Sequence, residues 1–181
     1  MNVPEKFMLK NVIQLPDKYS NFLSGKDENR VKIKQFFKED EKTFIMWFCP
    51  GESAMGPPGY CHGGLISTIL DESMGSCCWW NGYMVMTAKI EIRYKLRLPI
   101  NSEYISSSMI KLIKGKRILA EAEITDRDSK LYALSKGTFL TIAPEKLENI
   151  PGYSEEIKKA TGFVNLRQKG LSIKDTLKLF Q

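Results

Sequence analysis

Between Gly64 and Trp80 the chain carries seventeen residues without proline, apolar at Leu65, Ile66, Ile69, Met74, Cys77 and Trp80. That spacing predicts a helix of roughly 25 Å. Past it the apolar period switches to two: Ile90, Ile92, Tyr94, Leu96 and Leu98 alternate with Lys89, Glu91, Arg93, Lys95 and Arg97. Such alternation predicts a strand with one dry and one wet face. Three further runs, 103–113, 117–125 and 131–142, are separated only by the short turns "KGK" and "DRDSK". Connections this short force antiparallel neighbours. Ahead of the helix, "RVKIKQFF" and "TFIMWF" are rich in β-branched and aromatic residues and flank the charged "KEDEK", the pattern of two strands and a turn. About six strands with one apolar face need a cover, and the chain offers one long helix to provide it. The expected class is α+β, a curved antiparallel sheet wrapped around a central helix.

With 181 residues, 43% of them apolar, the chain can bury one good core and is short for two. The expected organisation is an N-terminal helical extension over 1–30, a main domain over 31–143, and a polar C-terminal extension over 144–181 with short helices near 155–160 and 173–180. The first thirty residues hold only the apolar clusters Phe7, Met8, Leu9 and Tyr19, Phe22, Leu23, broken by Pro4, Pro16 and Gly25. No apolar run approaches the about 20 residues that span a bilayer, and Pro4 and Glu5 stand where a signal peptide needs an apolar core. Cys49, Cys61, Cys77 and Cys78 fit neither a metal pair nor a disulfide framework. Reduced thiols and a cytoplasmic location are expected, without metal or other cofactor.

The formal charge of +6 is concentrated. From Lys89 to Arg117 there are eight basic residues against Glu91 and Glu103. Such a face either binds a polyanionic ligand or is a solvated sheet surface. The basic residues alternate along strands without interleaved aromatics on that face, so nucleic acid is not an expected partner.

The stretch "GPPGYCHGGLISTILDESMG" (56–75) holds the chain's one histidine, His62. Pro57 and Pro58 forbid helix before it, so the helix begins near 62–64 with its first N–H groups unpaired and its positive dipole end exposed. At Gly63 and Gly64 a substrate carbonyl could approach those groups without meeting a Cβ, as an oxyanion site requires; the alternative is a tight turn and nothing more. A second stripe on the helix, Gly64, Thr68, Asp71, Gly75 and Cys78, is small but for its one acid. Asp71 lies about 10 Å along the axis from Gly64, too far to serve a carbonyl held at its own helix end, which asks for a second subunit. Glu72 is the fallback acid, about 100° round the helix. Cys61 is not read as a nucleophile, since nothing near it in sequence would stabilise a thiolate.

"GPPGYCHGGLISTILDESMG" followed by "VMTAKIEIRYKLRLP" resembles the hotdog-fold acyl-CoA thioesterases, in the branch that holds the mammalian mitochondrial long-chain acyl-CoA thioesterase and the bacterial phenylacetate-pathway enzymes. The resemblance covers about 31–143 and is strongest from Gly56 to Pro99; neither extension takes part. It implies a homodimer or dimer of dimers with antiparallel helices and two sites at the interface, hydrolysing an acyl-CoA to a free acid and CoA in fatty acid metabolism. Asp71 then matches the general base or nucleophile, Thr87 the hydroxyl that orients it, His62 a positioning group, and Gly63 with Gly64 the oxyanion end. Lys95, Arg97, Lys114, Lys116 and Arg117 are candidates for the CoA phosphates. The rival reading is a hotdog module that binds or senses acyl-CoA without turnover.

Overall fold

The computed structural model describes residues 3–16, 23, 29–143 and 154–179. Tyr19, Phe22 and Gly25 of the sequence reading, and position 180 at the end of its last helix, lie outside them. In chain order the elements are α1 (Val3–Lys6), β1 (Ile13–Gln14), β2 (Val31–Lys38), β3 (Thr43–Pro50), α2 (Gly63–Trp80), β4 (Val85–Tyr94), β5 (Tyr104–Lys114), β6 (Arg117–Thr125), β7 (Leu131–Thr141), α3 (Ser154–Gln168) and α4 (Ile173–Leu179). All strands join one antiparallel sheet in the order β1-β2-β3-β5-β6-β7-β4. This is the expected α+β hotdog arrangement, with a seventh strand. β1 pairs only Ile13 with Phe37 and Gln14 with Phe36, too few residues to show a period.

α2 lies across the sheet. Leu65, Ile66, Ile69, Leu70, Met74, Cys77, Cys78 and Trp80 are buried from it, and they meet Phe44, Met46, Phe48, Ile118, Ala120, Ala122, Ile124, Ala133 and Phe139 from the strands. The side chains under the middle of the helix are small. Ser108, Ala122 and Ser135 form one cross-strand row and Ala120 with Gly137 the next, which lets the helix sit close. Ser108 Oγ donates to Ser73 O of the helix at 2.7 Å. The opposite face of β2 and β3 is covered by the N-terminal segment, where Val3 and Phe7 pack on Phe36, Ile45 and Trp47.

β4 departs from its sequence reading at both ends. The alternation to Leu98 suggested a strand over 89–98, whereas pairing with β7 runs from Val85 to Tyr94. Lys95 and Leu96 both donate their N–H to Tyr132 O, which ends the ladder. Leu98 is buried outside the sheet, where its carbonyl accepts from Cys61 N. β4 is also an edge: β7 lies on one side and no strand among the described residues on the other. Its inward residues Ile90 and Ile92 are only half-buried, and Tyr94 is exposed.

The C-terminal extension holds a helix of 15 residues where a short one near 155–160 was expected. Phe163 stacks on Trp79 and meets Trp80 edge-on. Arg167 donates to Trp80 O at 2.9 Å and pairs with Glu39, whose carboxylate also accepts from Ile173 N. A guanidinium on the last carbonyls of α2 complements the negative end of its dipole. The N-terminal expectation of helix gives way to a single turn, α1, followed by β1. No helix among the described residues is long and apolar enough to cross a membrane.

Candidate active site

The loop before α2 is tied down residue by residue. Gly56 N donates to Tyr60 O, Cys61 N to Leu98 O and His62 N to Ala54 O, all at 2.8–2.9 Å. His62, extended at φ −64° and ψ 135°, is the N-cap: its Nδ1 accepts from Gly64 N at 2.9 Å. Leu65 N and Ile66 N donate to His62 O. Of the first-turn N–H groups, Gly63 alone has no acceptor among the described residues. The expectation of several open donors therefore narrows to one, and His62 is assigned a capping bond. A Cβ at Gly64 would sit 2.8 Å from His62 Nδ1, whereas one at Gly63 would meet nothing closer than the Tyr94 ring at 3.8 Å. Glycine at 64 is required by the cap.

Asp71, half-buried on α2, accepts from Thr87 Oγ1 at 2.9 Å. Simple alternation back from Tyr94 through Ile92 and Ile90 would turn Ala88 inward and Thr87 out. A β-bulge between Thr87 and Lys89 restores Thr87 to the inner face, opposite Phe139 in the row series that runs Gly137–Ile90, Ser135–Ile92 and Ala133–Tyr94. At the other end of β4, Tyr94 OH lies 2.5 Å from Ser67 Oγ and 3.3 Å from Gly63 O, and Ser67 Oγ donates to Gly63 O at 2.9 Å. The sequence reading gave Ser67 no role and counted Tyr94 only as a dry-face residue. Neither belongs to a motif whose spacing could have marked it.

One strand thus carries both hydroxyls, Thr87 on the acid and Tyr94 beside the helix start. Asp71 and Gly63 are eight residues apart on α2, about 12 Å along its axis. One protomer therefore holds the acid and the open amide apart. Glu72 is not hydrogen-bonded to this constellation; desolvation and, second, the Asp71 charge raise its carboxyl above the ordinary 4.5. Burial pushes the Cys61 thiol up to about 12, and its S–H points to His62 O, so it remains a thiol at neutral pH.

The basic candidates fall into two groups. Lys95 and Arg97 follow β4, with the Arg97 guanidinium 5.6 Å over the Tyr60 ring, next to the His62 loop. Lys114 and Arg117 are cross-strand partners at the β5–β6 hairpin, with Lys116 in its turn. Arg117 pairs with Leu140, and Leu140 with Met86, so this group flanks the opposite end of β4. Nine residues at about 3.3 Å separate Met86 from Lys95, roughly 30 Å within one chain.

A stretch of 112 residues, 61% of this chain, is 33% identical to the acyl-coenzyme A thioesterase THEM4 of Rattus norvegicus and covers 48% of that protein. The sheet and helix superpose on the E. coli PaaI protein of the phenylacetic acid degradation operon with a TM-score of 0.56 at 16% identity, over 62% of this chain and 80% of that one. The fold is therefore the hotdog fold, and the sequence is similar to that of acyl-coenzyme A thioesterases. A second hotdog structure, smu.793 of Streptococcus mutans bound to acetyl CoA, superposes with a TM-score of 0.54 at 16% identity, over 57% of this chain and 83% of that one. The chain spans about half the length of the curated relatives it matches. No protein-family model matches it. A fungal relative from Candida albicans, 25% identical over 108 residues (56% of this chain and 47% of its own), is named a mitochondrial protein. That overturns the cytoplasmic expectation, because reduced thiols and the lack of a membrane-spanning run do not separate cytosol from the interior of an organelle.

Proposed function

We propose that this hotdog domain hydrolyses the thioester of an acyl-CoA to a free carboxylic acid and CoA, working as a homodimer. The observation that carries this reading is the split of one site over one helix: a carboxylate held by Thr87 and a single unpaired amide at Gly63, both lying along β4, whose outer edge has no strand partner among the described residues. Two copies of β4 pairing about a two-fold axis run antiparallel. The Thr87 end of one copy then lies beside the Tyr94 end of the other, and Asp71 of one copy faces Gly63 of the other. The same pairing sets Lys114, Lys116 and Arg117 of one copy next to Lys95 and Arg97 of the other, so the two basic groups flank one site. The relatives named acyl-coenzyme A thioesterase support the reaction class, and the CoA-bound hotdog structure supports the ligand.

In this composite site the thioester carbonyl oxygen points at Gly63 N–H, on the positive end of α2. Asp71 takes a proton from water as the water oxygen attacks the carbonyl carbon, and the carbonyl electron pair moves onto the oxygen. Collapse breaks the carbon–sulfur bond, and the CoA thiolate takes the proton back from Asp71. Direct attack by Asp71, giving an anhydride that water then opens, uses the same groups. Thr87 keeps one carboxylate oxygen oriented in either course.

A hydrolysis screen across acyl-CoA chain lengths, read by thiol release, tests the reading. Turnover that disappears in Asp71→Asn is expected. Tight acyl-CoA binding with no turnover on any aliphatic or aromatic thioester would replace the enzyme with a binding module.

A further inference from the structure

We propose that Tyr94, acting through Ser67, is a positioning residue for the Gly63 amide. The inference rests on the thioesterase reading for its kinetic consequences and on geometry for the rest. An amide serves as an oxyanion donor only if its N–H direction is fixed before the reaction, and a glycine has the least intrinsic restraint on that direction. Gly63 sits between two peptide planes. The plane before it is held by His62 O, which accepts from Leu65 N and Ile66 N. The plane after it is held at both atoms: its N–H, on Gly64, donates to His62 Nδ1, and its carbonyl, Gly63 O, accepts from Ser67 Oγ at 2.9 Å.

Ser67 gives its one proton to Gly63 O, so Tyr94 is the donor in the 2.5 Å contact to Ser67 Oγ. Tyr94 OH also lies 3.3 Å from Gly63 O, and its ring lies 3.8 Å from the place a Gly63 Cβ would take. The phenol thereby links the edge strand to the helix start. Packing does not explain it, since Tyr94 is 52% exposed. The hydroxyl has no apolar pocket to anchor and its partners are both atoms of the Gly63 turn. β4 thus positions the acid with Thr87 and the oxyanion donor with Tyr94, from the same inner face.

Tyr94→Phe keeps the ring and removes the bond. Its kcat should fall about tenfold with KM and the Kd for CoA within about twofold, the pattern of an interaction felt in the transition state. The hydroxyls act in series, so Tyr94→Phe with Ser67→Ala should lose little more than the worse single variant. Losses that multiply, or a Tyr94→Phe kcat within twofold of wild type, overturn the assignment. A readout without substrate stands beside the kinetics. In the ligand-free protein the Gly63 amide order parameter should fall in Tyr94→Phe from about 0.85, typical of rigid backbone, toward 0.6. An unchanged order parameter overturns the positioning role even if the wild type hydrolyses nothing, whereas a wild type that is inactive with a loosened Gly63 in the variant overturns only the reaction.

Discussion

Thr87 reaches Asp71 because β4 carries an extra residue. The 2.9 Å bond from Thr87 Oγ1 to Asp71 Oδ1 spans strand and helix only where the bulge at Thr87–Lys89 turns the hydroxyl inward. Bulges beside functional groups commonly re-aim a side chain in this way.

Removing the carboxylate charge should be the most severe change. Asp71→Asn is expected to lower kcat at least about 100-fold, the scale of a lost general base, with fold and oligomer intact. Thr87→Val should cost less, about tenfold, because the acid remains. Deleting Ala88 takes out the extra residue, and plain alternation from Ile90 through Lys89 then keeps Thr87 inward opposite Phe139, so its kcat should stay above that of Thr87→Val while the circular dichroism of the sheet is kept. Thiol release from an acyl-CoA measures all three, and a deletion variant no more active than Thr87→Val would show that Ala88 is not the extra residue of the bulge.

The two glycines should separate stability from chemistry. Gly63→Ala places its Cβ in ordinary contact with Tyr94, so Tm should hold while kcat falls as the methyl crowds the thioester oxygen. Gly64→Ala meets His62 Nδ1 at 2.8 Å and must expel the ring from its cap. Loss of an N-cap is worth about 1 kcal/mol, so Gly64→Ala should melt lower than Gly63→Ala. Equal melting temperatures would mean that His62 does not cap α2.

Much of this was legible in the sequence because burial imposes periods. The period of 3.6 over 64–80 and the short turns "KGK" and "DRDSK" gave the helix and the β5–β6–β7 meander nearly to the residue. β4 was misplaced by four residues because the apolar alternation at Leu96 and Leu98 outlasts the ladder, Leu98 being buried against the His62 loop instead. A bulge is invisible to a period-two count, so Thr87 could be placed inward by resemblance but not by alternation. Tyr94 and Ser67 depend on a contact between residues 27 apart that no local pattern records. The docking of α3 on the end of α2 depends likewise on single long-range partners, Arg167 with Glu39 and Phe163 with Trp79.

Glu72 offers a pH test. Its carboxyl is raised by desolvation first and by the Asp71 charge second. A raised carboxyl favours the folded state only while protonated, so that contribution is complete below the ordinary 4.5 and is lost as pH rises through the folded value. Glu72→Gln carries no charge at any pH. It should therefore melt higher than wild type at pH 7 and nearly level with it at pH 4, with kcat within about threefold. A gain at pH 4 as large as that at pH 7 would assign the effect to packing.

The two basic groups make a prediction about salt. If Lys95 and Arg97 of one copy and Lys114, Lys116 and Arg117 of the other hold the CoA phosphates, KM should climb with ionic strength, because screening shortens from about 10 Å at 0.1 M to about 3 Å at 1 M. Acyl-pantetheine lacks the nucleotide and should show no such rise. Lys116→Ala and Arg97→Ala should each raise KM for acyl-CoA and leave acyl-pantetheine nearly unchanged. Equal effects on both substrates would make these residues a solvated sheet face.

The proposed two-chain site is tested by mixing inactive variants. Asp71→Asn keeps a sound Gly63 end and Gly63→Val keeps a sound acid, so each homodimer lacks one group in both of its sites. After subunit exchange, a heterodimer contains one site in which Asp71 of one chain meets Gly63 of the other, and a second site with neither. Random exchange of equal amounts puts half of the dimers in that form, each with one working site of two, so about a quarter of wild-type activity should return. The about 12 Å of helix between Gly63 and Asp71 leaves little room for a site within one chain. Mixed-tag pull-down establishes that exchange took place, and mixtures that exchange but stay inactive would place acid and amide in the same protomer.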